Sequence, residues 1–319
     1  MKIEKLSPAF QNYLWGGTKL RDVYGKNCDF DKVAESWELS THPAGESKIA
    51  EGEFAGLTLS EYIEKLGTSV LGSRCREFKN FPVIIKFIDA KEALSIQVHP
   101  GDEYALRVEN EYGKTEMWYV MDCEPGAYLY FGVNREITRE EFRQRIENNT
   151  VLEVLNRVDV HPGDLFFIES GTIHAIGAGI LICEIQQNSN CTYRVYDYDR
   201  RGQDGKPREL HIEKALAVSR LTPSDTADKQ GKAEHVPGGT RKKLASCKYF
   251  TTEKLEVSGE MTLIAGEESF LSLIVLTGTA RISGQENTVN AKAGDSIFIP
   301  AGTGQVTVAG ECQMILTRV

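Results

Sequence analysis

Apolar and polar residues alternate in short runs along most of this chain, and long stretches of helical periodicity are few. The runs Phe81–Ile88, Leu94–His99, Glu116–Met121, Ala127–Phe131, Leu165–Ile168, Ile180–Ile185, Thr192–Tyr198 and Leu271–Leu276 are rich in Val, Ile, Tyr and Phe and are bounded by Gly, Pro and Asn. That is the pattern of strands joined by tight turns. Three short helices are predicted. Thr58-Leu-Ser-Glu61 has capping-box spacing, with Thr capping a backbone N–H and Glu reaching back, and opens a helix to about Leu66. Thr138-Arg-Glu-Glu141 opens a second within a short helical insert at 138–156, with Phe142, Ile146 and Leu152 to Leu155 as apolar positions. His211 to Leu221 reads as a third. Short strands at close spacing with Gly-rich turns predict a mainly β protein, a sandwich or jelly roll, with a few short helices.

An internal repeat divides the chain. Residues 162–174 read PGDLFFIESGTIH and residues 293–305 read AGDSIFIPAGTGQ. Each is a turn, a buried strand and a tight Gly turn that delivers the next residue to a strand start. The first copy ends on His174 and the second on Gln305, so two related β-units are expected, with a metal in the first only. Thr222–Arg241 is polar and turn-rich and reads as a linker, with His235 as a solvated loop histidine. The expected domains are 1–220, a linker at 221–241, and 242–319.

Composition narrows the function class. The chain has 319 residues, a net charge of −9 and no basic stripe, which argues against nucleic acid. It has no apolar stretch of membrane-spanning length and no apolar signal-peptide core at its N-terminus. The seven cysteines are scattered without a C-x-x-C pair, which reads as reduced thiols in a cytoplasm. An anionic substrate would then need locally supplied positive charge.

The chemistry concentrates in Leu94-Ser-Ile-Gln-Val-His-Pro100. On a strand Ser95, Gln97 and His99 share one face. That face is either half exposed or lines a cavity with Gln97 and His99 as metal ligands. Glu116, at the start of another apolar strand, and His174, closing the Gly171-Thr-Ile-His turn, complete a mixed N/O donor set. Such a set suits Zn²⁺ with an open position, and Fe²⁺, Mn²⁺ or Co²⁺ also satisfy it. His42, in Ser40-Thr-His-Pro43, reads as structural or as cavity rim.

These residues resemble a known family. Gly163–Gly177 looks like the second cupin motif, with Glu169 at its proline position. Tyr13–Gly17, Ala34–Glu38, Ile84–Phe87, Leu94–Pro100, Gly113–Met117, Pro162–Gly177 and Glu184–Arg200 together resemble the short bacterial form of type I mannose-6-phosphate isomerase. The resemblance implies two cupin-like jelly-roll β-units, the second degenerate, and one Zn²⁺ per chain on Gln97, His99, Glu116 and His174. It further implies phosphate contacts at Lys86 and Ser95 and an active-site arginine at Arg194. Longer members carry His-Lys-Pro-Glu where this chain has Gly113-Lys-Thr-Glu116, and an Asp where it has Asn190, so roles proposed for those two groups do not transfer.

The implied reaction interconverts mannose 6-phosphate and fructose 6-phosphate through an enediol, and needs a base on one face of C1–C2. Lys114 and Glu184 are the candidates. Lys114 is favoured, on the expectation that a metal and Arg194 lower its pKa, with Glu184 as its alternative or its orienting partner. A non-enzymatic sugar-phosphate-binding cupin and a metal-dependent cupin oxygenase are the competing classes.

Overall fold

The computed structural model describes residues 1–201, 205–225 and 230–319. The described residues are mainly strand with a few short helices, and three larger sheets account for the architecture. In the first, six strands lie in the order Leu165–Ile168, Glu116–Cys123, Ile180–Gln187, Val83–Ala90, Glu35–Leu39 and Ala9–Gln11. In the second, five strands lie in the order Leu155–Asp159, Tyr128–Val133, His174–Ile176, Ile96–Val98 and Tyr193–Tyr196. Every strand pair in both sheets is antiparallel.

Burial explains the long apolar runs. All eight residues of Val83–Ala90 and of Ile180–Gln187 are buried, as expected of strands covered on both faces. Val83, Ile85 and Phe87 pack in one core with Phe270 and with Ile274, Phe298 and Ile315 of the C-terminal sheet. Ile88, Ala90, Trp118 and Ile182 pack on the other face with Leu129, Phe131 and Ile176 of the five-stranded sheet. The six-stranded sheet is therefore the middle layer. Its inner face, opposite the five-stranded sheet, carries the chemistry.

The third sheet has nine strands, including the long antiparallel pair Thr251–Ala265 and Gly304–Arg318, and encloses its own core of Leu255, Leu273, Ile297, Val306 and Leu316. Its composition departs from the expected division in two ways. The N-terminal strand Glu4–Ser7 pairs with Ser296–Ile299, so the chain's first strand belongs to the C-terminal layer. The stretch read as linker carries the strand Ala233–Val236, paired with Gly239–Ser246, which places exposed His235 on a strand rather than in a loop. Part of that stretch, 226–229, lies outside the described residues.

The three expected helices form at Leu59–Leu66, Arg139–Glu147 and Ile212–Val218. Thr58 and Glu61 make the reciprocal capping box. Thr138 accepts from the Glu141 N–H, and Phe142 and Ile146 are buried as their spacing required. A further helix, Asp102–Val108, follows the turn after His99. The repeat is also realised: Leu165–Ile168 and Ser296–Ile299 are strands, each preceded and followed by glycines at positive φ, Gly163 and Gly171 in one, Gly294 and Gly302 in the other. Among the described residues, no helix is long and apolar enough to cross a membrane.

Candidate metal centre and its pocket

Strand register assembles two rows of polar side chains that face each other. On the five-stranded sheet His174 pairs opposite Gln97, and Gln97 pairs opposite Arg194. On the six-stranded sheet Trp37 pairs with Lys86, Lys86 with Glu184, and Glu184 with Trp118. Glu116 lies two residues before Trp118, on the same face. Between the rows is a cavity of about 270 Å³ lined by Lys86, Ser95, Gln97, Lys114, Glu184 and Arg194, near the lower end of ligand-pocket sizes. His42 lies elsewhere, in a larger groove of about 1010 Å³, bonded to Glu111 at 3.1 Å and away from the metal-type cluster.

Behind the lining residues Gln97 and Lys114, His99, Glu116 and His174 bring their ligand atoms within 4.8 Å of one another. All three are fully buried or nearly so. His99 Nδ1 is 2.9 Å from the Cys191 carbonyl and His174 Nδ1 is 2.8 Å from the Thr172 carbonyl. A carbonyl accepts only, so each Nδ1 carries the proton and each Nε2 keeps its lone pair. The two Nε2 atoms then lie 3.1 Å apart with no proton between them. Glu116 places Oε1 3.3 Å from His174 Nε2 and Oε2 3.5 Å from His99 Nε2. Neither of its oxygens has an aligned hydrogen-bond donor, although Lys114 Nζ is 3.1 Å from Oε2.

Burial pulls the His174 imidazole down to about 4 and His99 well below its ordinary value, with Lys114 adding to the effect on both. Both rings are therefore neutral at neutral pH. Burial raises Glu116 to about 8, partly offset by Lys114. Four lone-pair-bearing atoms thus converge in a buried site where the Lys114 ammonium approaches only Glu116 Oε2, an arrangement that a cation between them would relieve. Gln97 sits against the cluster, its amide nitrogen 3.4 Å from His174 Nε2, and a half-turn of the amide puts its oxygen there. The residues fit a divalent metal of borderline softness, each imidazole oriented by a backbone carbonyl as metal-bound histidines are.

The pocket walls hold the remaining expected residues. Lys86 is 97% buried, 4.3 Å from the Trp37 ring centroid, with Glu35 and Glu184 carboxylate oxygens at 3.5 and 3.7 Å. Ser95 is buried on the same wall. Glu184 accepts from the Trp118 indole at 2.9 Å, and although burial opposes ionisation, Lys114 and Lys86 hold its carboxyl below the ordinary value. Arg194 is half-buried and bonds the Glu209 carbonyl, while its Nε has no partner. Burial lowers the Lys114 pKa, but Glu116, Glu184 and Glu35 outweigh burial and hold the ammonium above its ordinary range before any metal's charge is added.

Tyr13, Trp15, Glu35, Asn190, Thr192 and Arg208 also line the pocket. A signal was available for most of them: Tyr13 and Trp15, Glu35, and Asn190 with Thr192 lie in the family-like blocks 13–17, 34–38 and 184–200. Arg208 sits in a polar, irregular stretch with no such signal. Its Nε donates to Asp197 Oδ2 at 2.7 Å, and Asp197 also pairs with Arg200. Gly113 explains why no histidine stands there: a Cβ would fall 2.5 Å from the Asp102 nitrogen and from the Gly101 carbonyl carbon.

Comparison with known proteins agrees with this geometry. Residues 3–125 match the family model for the phosphomannose isomerase type I catalytic domain, and residues 240–319 match the mannose-6-phosphate isomerase cupin domain. The mannose-6-phosphate isomerase ManA of Bacillus subtilis is 39% identical over 98% of this chain and 97% of its own length. The chain belongs to the type I mannose-6-phosphate isomerase family. It is an isomerase of that family. The mannose-6-phosphate isomerase of Streptococcus mutans is 36% identical, covering 98% of this chain and 97% of its own. A crystal structure of the mannose 6-phosphate isomerase from Bacillus subtilis superposes with a TM-score of 0.92 at 35% identity, over 100% of both chains. The similarity thus spans both β-units, not the one with the His99–Glu116–His174 cluster alone.

Proposed function

We propose that this isomerase interconverts mannose 6-phosphate and fructose 6-phosphate through an enediol, with one Zn²⁺ per chain on Gln97, His99, Glu116 and His174. The observation that carries the proposal is the convergence of two neutral imidazole lone pairs on a buried, donor-poor carboxylate. When bound, the metal supplies Lewis-acid polarisation of the sugar carbonyl and so acidifies the neighbouring C–H.

The chain's own groups do the rest. Lys86 and Ser95 hold the phosphate. Lys86, Lys114, Arg194 and Arg208 place four cations in the pocket against the carboxylates of Glu35, Glu116 and Glu184, which makes it locally positive inside an acidic protein. The base role first given to Lys114 passes to Glu184. Glu184 is the carboxylate kept ionised, and Lys114 is the ammonium kept protonated, so the pair offers one proton acceptor and one donor. Arg194 stabilises the oxyanion that develops as the proton moves. Unpaired thiols at all seven cysteines support a reducing compartment, the cytoplasm.

A coupled assay with mannose 6-phosphate and glucose 6-phosphate, before and after chelation, tests this. Turnover of mannose 6-phosphate that chelator abolishes and Zn²⁺ restores is expected. Chelator-resistant turnover, or turnover of glucose 6-phosphate alone, would refute it.

A further inference from the structure

Among the described residues, none that lines the pocket lies beyond Arg208. The C-terminal unit nevertheless reaches toward the site: Thr252 Oγ1 donates to Met117 Sδ at 3.2 Å, next to Glu116, and a second side chain bonds the segment after His99. Tyr249, between the strands Gly239–Ser246 and Thr251–Ala265, donates its hydroxyl to Asp102 Oδ2 at 2.7 Å. Asp102 is three residues past His99. Its other oxygen accepts the Gly113 N–H at 2.9 Å and the Gln187 amide N–H at 2.9 Å. Gln187 in turn accepts the Thr115 N–H at 2.8 Å through Oε1, and its own backbone N–H donates to the Thr115 carbonyl at 3.0 Å. The Lys114 N–H donates to the Pro100 carbonyl at 3.0 Å.

Three consecutive N–H groups, 113 to 115, are thereby fixed to the exit of the His99 strand, and all three hold the residue whose ammonium is 3.1 Å from Glu116. The packing is tight as well as bonded, because Gly113 has no room for a Cβ against Gly101 and Asp102. Gln187 is buried, so its amide finds no water to replace Asp102.

We propose that Tyr249 and Asp102 are positioning residues for Lys114, and that the C-terminal unit contributes to catalysis by this hydrogen-bonded strut. The inference rests on Lys114 having a role in the isomerisation. Removing the Tyr249 hydroxyl leaves Asp102 Oδ2 without that donor and frees the carboxylate to rotate. The 113–115 segment then loses its register relative to His99 and Glu116. A displacement of about 1 Å at a reacting group costs up to about 100-fold in rate.

The test compares Y249F, D102A and D102N in the full-length, metal-loaded chain. Y249F keeps its ring, which packs 6.1 Å from Phe78. It should lower kcat about tenfold or more, with KM for mannose 6-phosphate within about twofold and zinc content unchanged. Hydrogen exchange at residues 113–115 should quicken about tenfold or more while that of Thr251–Ala265 stays the same. D102A should match or exceed both effects. D102N keeps one oxygen for Gly113 and Gln187 and turns its NH₂ to the tyrosine oxygen, so it should recover most of kcat. Wild-type kcat together with wild-type exchange at 113–115 in Y249F would overturn the proposal. An equal loss in D102N and D102A would also overturn it. If the wild-type chain proved inactive on mannose 6-phosphate, the functional reading would fail, and the exchange measurement would still decide whether the strut exists.

Discussion

Lys86 separates a substrate-binding role from a purely internal charge pairing, and K86M is the perturbation that does so. The lysine is 97% buried, yet its two carboxylate neighbours lie at 3.5 and 3.7 Å. Those distances exceed the 2.7–2.9 Å or so of a close charge-assisted hydrogen bond. The ammonium therefore has N–H groups to give to a ligand in the cavity it lines. Methionine keeps the unbranched stem against Trp37 and removes only the charge. Losing one hydrogen bond from a charged donor to a phosphate costs about 1.5–3 kcal/mol, which is about 10- to 150-fold in KM. The substitution also removes one of the two cations that hold Glu184 below its ordinary value, so the Glu184 pKa moves up while Lys114 still opposes the rise. Assaying at about pH 8 keeps that carboxylate ionised and isolates the binding effect. The assay is steady-state kinetics with mannose 6-phosphate, with inorganic phosphate as a competitive inhibitor. KM and the phosphate inhibition constant should rise together. If both stayed at wild-type values while thermal stability fell, Lys86 would be only the partner of Glu35 and Glu184.

Three further outcomes follow from the geometry. H99A should lose bound metal, because the remaining imidazole and carboxylate no longer surround it; atomic absorption of the dialysed protein checks this, and full metal retention would reject the ligand set. K26M breaks a buried pair in which Lys26 Nζ lies 2.6 Å from Glu38, and should cost about 3–5 kcal/mol in urea unfolding. Burial already raises Glu38, and without Lys26 its folded pKa rises further above the unfolded value. The stability it contributes is then present at low pH and is lost as pH rises toward the folded pKa, at up to about 1.4 kcal/mol per unit. The K26M defect should therefore be larger at about pH 8 than at about pH 5.5. G113A forces a Cβ into the Gly101–Asp102 backbone and should cost about 1–3 kcal/mol by overpacking, read as a lowered Tm.

Most of the site was legible before the fold because it rests on local rules. Period-two alternation placed Ser95 and Gln97 on one cavity-facing wall, and the Gly turn of the repeat delivered His174 to the start of its strand. A lysine inside the apolar run at 82–88 signalled its own exception. What stayed hidden depends on contacts between residues far apart in the chain. Nothing around Glu4–Ser7 indicates that it pairs with Ser296–Ile299. Tyr249 bonds a carboxylate 147 positions away. The hairpin at Ala233–Val236 is short and exposed, so its strand lacks the apolar alternation that marks the others. Spacing placed Lys114 near Glu116, but could not show that Glu184 and Glu35 also surround it.

The central claim is that the buried cluster of His99, Glu116 and His174, with Gln97, holds the metal on which isomerisation depends. Titrating Zn²⁺ into the chelated, dialysed chain while following both bound metal and mannose 6-phosphate turnover tests it most directly. Activity should rise in proportion to bound zinc and level off at about one ion per chain. Full turnover with no bound metal, or saturation of binding without any gain in turnover, would contradict the account.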